Sequence, residues 1–350
     1  MYVLIGILLL GILIAVHEFG HFMAARLTGI EVMEFAIGMG PKLFGWTGKS
    51  GTKFSLRCIP LGGFCAFYGE DDVEGKAKDD PRAYNRQSVW KRMFTVIMGP
   101  AMNFVLAFVV AVGYYWIGGV AMVEPVIMEV EQTSPAYAAG LQSGDVIISV
   151  NGVNVLDGTM DTLSAVIGSG SGEPYALLVR RGSETFDASI TPFWDEALSK
   201  YRIGITYGGA PTGGMRRLPF PEAVAGGWNV CVSASTLIID TLGQMFTNSE
   251  ILDQTSGPVG AVAVISQEVK TGGFDAFLNL LVVISINLGI MNLLPIPGLD
   301  GSRFLFMVIE VVRRKPIKPE REAMVHLIGM LFLFALMIWF TFRDVWKLIG

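Results

Sequence analysis

The sequence predicts an α-helical polytopic membrane protein of four transmembrane helices, with a membrane-associated β-hairpin and one extracytoplasmic α/β domain. Three observations predict it. Apolar residues make up 52% of the 350 residues and charged residues only 16%, well under the ~25% charged content of soluble domains. The apolar residues gather in four stretches, about 2–25, 94–119, 276–298 and 323–342, each near the roughly 20 helical residues that cross a ~30 Å hydrocarbon layer. Between the second and third stretches lie about 150 residues of ordinary soluble composition, one domain's worth of chain.

The first stretch reads as a retained span. No Lys or Arg precedes it, Ala24-Ala25 is a poor cleavage signal, and it carries two His and one Glu, which the apolar core of a signal peptide avoids. Orientation follows from basic residues in short loops. Residues 26–92 hold eleven Lys and Arg, and 299–322 hold Arg303, Arg313, Arg314, Lys315, Lys318 and Arg321. Both loops are expected on the cytoplasmic side, which puts both termini and the middle domain on the other. No basic tract suggests nucleic acid. Cys58, Cys65 and Cys231 have neither metal-type spacing nor a disulfide framework.

Within the first loop, Ile37-Gly38-Met39-Gly40-Pro41 is turn-rich. Thr52 to Ile59 alternates like a strand, and Leu61 to Phe67 continues it with glycines, so a hairpin beside the membrane is expected. The acidic run from Glu70 to Glu74 reads as a solvated loop. In the outer domain, about 122–208, strands are expected at 126–130, 145–150, 175–180, 185–190 and 202–206, with short helices at 134–141 and 161–167. Pro211 to Gly214 reads as a linker. Glu222 to Phe246 reads as a helix lying at the membrane surface, within a linker and membrane-surface helical region at 209–275. The last part, 276–350, holds the final two spans.

The chemistry concentrates in His17-Glu18-Phe19-Gly20-His21. On a helix, residues i and i+4 are neighbours on one face, so two imidazoles can reach one zinc ion, with Glu18 beside them as a base for an activated water. Three ionisable groups within five residues of an apolar span have no bland structural purpose. Catalytic zinc needs a third protein ligand. Asp300 is the better placed, just past the helix-breaking Pro295 and Pro297 at the end of the third span; a cap or turn role is its alternative. His326 reads more plainly as a lone interfacial histidine. Asn103, Asn287 and Asn292 are polar residues in spans, either helix–helix glue or support for the site.

The chain resembles the site-2 protease family, in the bacterial branch that carries a PDZ domain, and the likeness covers nearly the whole length. The motifs are His17 to His21, Gly38-Met39-Gly40 before the hairpin, Gly99-Pro100-Ala101-Met102-Asn103, and Asn292-Leu293-Leu294-Pro295-Ile296-Pro297-Gly298-Leu299-Asp300-Gly301. Met98 and Ser302 depart slightly from the usual pattern. The resemblance implies a zinc metalloendopeptidase of a bacterial plasma membrane that cuts single-span membrane proteins in or near the bilayer. It implies one Zn2+ held by His17, His21 and Asp300, Glu18 as catalytic base, and Asn292 in holding substrate. The usual family roles are release of sigma factors from membrane-bound anti-sigma factors and clearance of remnant signal peptides. Ser134-Pro135-Ala136, Ala139-Gly140-Leu141, Gly144-Asp145-Val146-Ile147 and Val150-Asn151-Gly152 resemble a permuted bacterial PDZ domain, which takes peptide C-termini as an added strand, with Ile203-Gly204-Ile205 in its groove. A non-catalytic PDZ scaffold and a metal or proton transporter are the alternatives. The first would be expected to have a broken His-Glu-x-x-His. The second would spread polar residues over several depths.

Overall fold

The computed structural model describes residues 2–70, 80–156, 161–168, 172–196, 200–245, 257–315, 317 and 319–349; most of the acidic run, 71–74, lies outside them. The chain forms two compact units, residues 1–113 with 224–350, and residues 114–223.

In the first unit, α1 (Tyr2–Thr28) is apolar all round, and the face it buries reads Gly6, Leu9, Leu13, His17, Gly20, His21 and Ala24. That three-to-four spacing is one stripe of a helix. The matching stripe on α2 (Val89–Gly113) is Arg92, Val96, Gly99, Asn103, Ala107 and Ala111. The two helices touch through small residues: a Cβ on Gly20 would stand 2.1 Å from the Met98 carbonyl oxygen. Close approach of this kind is how helices associate in lipid, where no hydrophobic force drives them together.

Between α1 and α2 run β1 (Val32–Thr47) and β2 (Lys53–Phe67). The expected simple hairpin is more elaborate. Residues 34–37 pair with 66–63 on one side and match 53–56 on the other, while 44–47 pair back onto 56–53. Each strand thus bends, and the pair gives four short segments in the order 63–66, 34–37, 53–56, 44–47. Positive φ at Gly38 (87°), Gly40 (80°) and Gly62 (87°) makes these bends, a conformation costly for residues with a Cβ. Phe44, Trp46 and Phe54 form a ring cluster across the adjacent segments 44–47 and 53–56, with Phe44 and Trp46 exposed.

The second unit is a sheet with strand order β10-β3-β4-β6-β7: β3 (Val120–Val130), β4 (Val146–Val150), β6 (Tyr175–Arg181), β7 (Glu184–Ile190) and β10 (Ile205–Arg216), with the short β5 (Val153–Asn154) beside β4. A two-stranded pair, β8 (Phe193–Asp195) and β9 (Lys200–Arg202), and helices α3 (Pro135–Ala138) and α4 (Asp161–Gly168) complete it. Ile127, Ile147, Val150, Leu163, Leu177 and Ile190 are among its core residues. Asp145, 1% exposed, accepts two hydrogen bonds from the Arg181 guanidinium and one from Gln142 N–H. Burial pushes its carboxyl upward, but these donors outweigh that and hold it below the ordinary carboxylate range. The expected linker at 211–214 is instead the middle of β10, which pairs with β3 as far as Arg216↔Val120. An irregularity in the register between Pro211 and Met215 absorbs the residues that looked like a turn.

Returning to the first unit, α5 (Phe220–Gln244) carries Val230, Cys231, Ala234 and Ile238 against the α2 residues Ala107 and Ala111 and against Val282 and Ile286 of α6 (Pro258–Leu293). Gly273 breaks α6 with φ 62° and ψ −139°; its first part packs Ile265 and Val269 on Leu9 and Leu13 of α1. Then come α7 (Asp300–Arg313) and α8 (Pro319–Ile349). Among the described residues five helices are long and apolar enough to cross a membrane: α1, α2, α5, α6 and α8. That is one more than expected, because α5 is as long as a span. It is also the least apolar of the five.

Candidate metal centre and active site

Three elements far apart in sequence meet at one point. His17 and His21 face α2 from successive turns of α1. Asp300 arrives at the first turn of α7. Helix α6 ends at Leu293, and the chain then turns through Pro295 and Pro297, with Gly298 at φ 99°. Helix α7 starts hard against that end: a Cβ on Gly301 would stand 2.3 Å from the carbonyl oxygens of both Leu293 and Leu294. Helix α8 backs the turn, where Gly329 leaves room for Pro297.

The result is a near-equilateral triangle. His17 Nε2 and His21 Nε2 are 3.3 Å apart, and Asp300 Oδ2 lies 3.0 Å from the first and 3.2 Å from the second. Two ligands bound tetrahedrally to zinc at ~2.0–2.1 Å are separated by about 3.3 Å. The donor set of two imidazoles and a carboxylate suits that ion, with a fourth position left for water or substrate. Both imidazoles are buried, and Asp300 Oδ2 is buried without a hydrogen bond. A carboxylate oxygen so placed has given up its hydration and faces the two imidazole nitrogens; a metal ion held among the three is the partner that fits. Among the described residues this is the group of His, Cys, Asp and Glu side chains able to hold one.

Around the triangle the contacts are specific. His21 Nδ1 donates to the Thr95 carbonyl at 2.9 Å, and Asn103 Nδ2 lies 3.1 Å from His17 Nδ1. Ser285 Oγ donates to the Asn103 backbone carbonyl at 2.8 Å. Glu18 does not join the triangle. It points toward β2, where a Cβ on Gly63 would come within 3.0 Å of its Cγ. Residues 63–66 form the outermost segment of the small sheet, so a strand edge runs beside this carboxylate. An Arg303–Glu70 ion pair ties the end of β2 to α7, and Arg92–Glu310 at 2.6 Å ties α2 to it.

The structure therefore brings together His17, Glu18, His21, Asn103 and Asp300. Gly38 and Gly40 shape the sheet at a distance from the triangle. Asn292 is half-buried at the end of α6, and Pro295 and Pro297 shape the turn that delivers Asp300. His326 is not in the triangle: its Nδ1 accepts from Gly298 N–H at 3.4 Å, behind the turn. Thr95 acts through its carbonyl and so leaves no side-chain signal in the sequence, whereas Gly63, one of the glycines read in the strand 61–67, contributes the absence of a side chain. In the second unit a groove between α4 and the β9–β10 region is lined by Ser164, Ile167, Ile203, Gly204, Ile205 and Tyr207 among others, and β10 is an end strand of its sheet.

Comparison with known proteins gives a consistent answer. The profile of Peptidase family M50 matches residues 5–336. Regulator of sigma-W protease RasP of Bacillus subtilis (strain 168) is 33% identical, over 98% of this chain and 97% of its own length. Zinc metalloprotease RasP of Oceanobacillus iheyensis is 31% identical, over 98% of each. Another protein of that name from Shouchella clausii is 30% identical, over 98% of each. Among solved structures, the PDZ domain of the SdrC-like protein from Listeria monocytogenes matches 24% of this chain and 86% of its own, at 23% identity and TM-score 0.22.

Proposed function

Because this chain belongs to peptidase family M50 and is a multi-pass membrane zinc metalloprotease, we propose that it cuts single-span membrane proteins within or next to the bilayer, at the triangle of His17, His21 and Asp300. The observation that carries the reading is that this triangle lies beside Glu18, inside apolar helices, next to a strand edge. Bound zinc supplies Lewis acidity, lowering the pKa of water from 15.7 toward ~7 and polarising the scissile carbonyl. His17, His21 and Asp300 hold it. Glu18 accepts a proton from the attacking water and returns it to the departing amine. One water is consumed, the C–N bond breaks and a C–O bond forms, and Glu18 ends as it began. The scissile segment must be extended to reach the site. The edge of residues 63–66 offers backbone groups to such a strand, which pairs by β-augmentation and passes Glu18 as it does so. The two alternatives, scaffold and transporter, account for neither the family nor the hydrolytic base.

Four spans cross the membrane in this reading: α1, α2, the part of α6 after Gly273, and α8. The 20 residues from 274 to 293 are by themselves about 30 Å of helix. Helix α5 carries Glu222 and Asp240 and flanks the bundle. Four spans put both termini and the PDZ-like unit outside the cytoplasm, and the active site toward the cytoplasmic side with the basic loops. Alkaline phosphatase fused after Gly350 should be active. An inactive fusion whose fluorescent-protein counterpart glows would overturn this orientation. Peptide C-termini would dock in the groove at Ile203-Gly204-Ile205. Anti-sigma factors and remnant signal peptides are the natural substrate classes, the first suggested by the sigma-W relative.

The direct test uses purified protein in detergent with a labelled single-span substrate. Wild type should cut within the apolar segment, stop when a chelator has removed zinc, and recover when about one zinc per chain is returned. Cleavage that continues at full rate in demonstrably zinc-free protein would rule the reading out.

A further inference from the structure

We infer that Asn103 turns its amide carbonyl, not its amino group, to His17, and so fixes which nitrogen of that ring is free to hold a metal. This rests on the zinc-site reading above. A neutral imidazole has one N–H and one lone pair. If Nδ1 of His17 accepted a hydrogen bond from the Asn103 amino group, the ring's own proton would sit on Nε2. That nitrogen is the one 3.3 Å from His21 Nε2 and 3.0 Å from Asp300 Oδ2, so the proton would occupy the place of the metal. With the Asn103 oxygen 3.1 Å from Nδ1 instead, Nδ1 donates and the Nε2 lone pair faces the triangle.

The oxygen and nitrogen of an amide have nearly the same shape, so the exchange meets no steric resistance. It does not change the number of satisfied groups either. Asn103 Oδ1 is fully buried with no partner, and the amino group would take its place. The hydrogen-bond count is therefore silent, and the ligand ring decides. The neighbouring ligand shows the same arrangement already made: His21 Nδ1 donates to the Thr95 carbonyl at 2.9 Å. Thr95 and Asn103 are two turns apart on α2, as His17 and His21 are one turn apart on α1. Each imidazole thus has one carbonyl oxygen from α2 behind it. Asn103 is itself anchored, since its backbone carbonyl accepts from Ser285 on α6. Such outer contacts orient metal-binding histidines and typically change affinity 10- to 100-fold when removed.

The test is zinc affinity, measured by competition with a chelating dye on full-length protein in detergent. Asn103→Leu keeps the volume and removes the acceptor; zinc should bind 10- to 100-fold more weakly. Asn103→Asp presents only acceptors, so it should hold zinc at least as well as wild type. If Asp is as weak as Leu, Asn103 donates or merely packs, and the inference is overturned. If wild type and both variants hold zinc equally, the inference fails while the protease reading stands. If wild type itself holds no zinc, both fall. Should Asn103→Leu not fold, the wild-type protein answers directly. It has three histidines, so ¹⁵N-histidine NMR of the zinc-loaded form can be assigned. A proton on His17 Nδ1 is expected; a proton on His17 Nε2 overturns the inference.

Discussion

Replacing Gly99 with alanine should strip the protein of zinc while leaving it folded. A Cβ at this position would stand 2.2 Å from His21 Nε2, 2.4 Å from Cε1 and 2.9 Å from Cδ2, all inside van der Waals contact. The ring has nowhere to retreat. Its Nδ1 is tied to Thr95, the His17 ring stands edge-on at 4.9 Å between centroids, and Asp300 closes the third side. Relief requires either rotation of the imidazole or separation of α2 from α1 by about 1 Å. Metal–ligand distances tolerate only about 0.2 Å, so either response moves Nε2 out of the triangle. The loss should exceed the 10- to 100-fold expected of a supporting contact, and cleavage should fall with it. Gly113, on the same helix, has nothing within 4 Å of the corresponding Cβ, so Gly113→Ala is the matched control and should change neither. Zinc per chain after dialysis, read together with the thermal unfolding midpoint, decides the matter. Gly99→Ala with a full zinc complement would mean that His21 is not where the triangle puts it.

That steric argument marks how much of the site could be read from the sequence. His17 and His21 were legible because i,i+4 on a helix is a local relation. Asp300 was legible as a carboxylate just past a proline-broken span, although only the fold brings it 3.0 Å from a residue 283 positions earlier. Gly99 and Asn103 were visible as a motif but not as a mechanism. What they do depends on a crossing between α1 and α2, and no periodicity encodes the atom that a glycine makes room for. The small sheet shows the same limit. Its glycines announced turns, but the doubling of β1 between two stretches of β2 is a pairing between distant residues. The reading of 211–214 as linker failed for a related reason. Proline and glycines usually mark turns, and here pairing with β3 overrides that preference. The helix expected at 222–246 is α5, and its length makes it a fifth candidate span because its composition sits at the margin between an interfacial helix and a span.

Glu18→Gln should have the other large effect, and its pattern is the reverse of that of Gly99→Ala: zinc stays and cleavage stops. Glu18 lies outside the group that can hold the ion, so its charge is not needed for metal binding. Glutamine matches it in shape, and the contact with Gly63 of β2 is kept, so the helix and sheet should pack as before. What is lost is a group able to take a proton from water and hand it to the leaving amine. Such proton transfer is typically worth 10²- to 10⁴-fold, and because it operates only in the transition state the loss should appear in kcat with KM little changed. Substrate bound along 63–66 would then be held uncut, which makes this variant the natural trap for endogenous substrates. Measured side by side, the two variants separate the parts of the site. Activity lost with zinc retained assigns Glu18 to the chemistry, and activity lost with zinc lost assigns Gly99 to the geometry of the metal. A Gln variant that cleaves at the wild-type rate would remove Glu18 as the base.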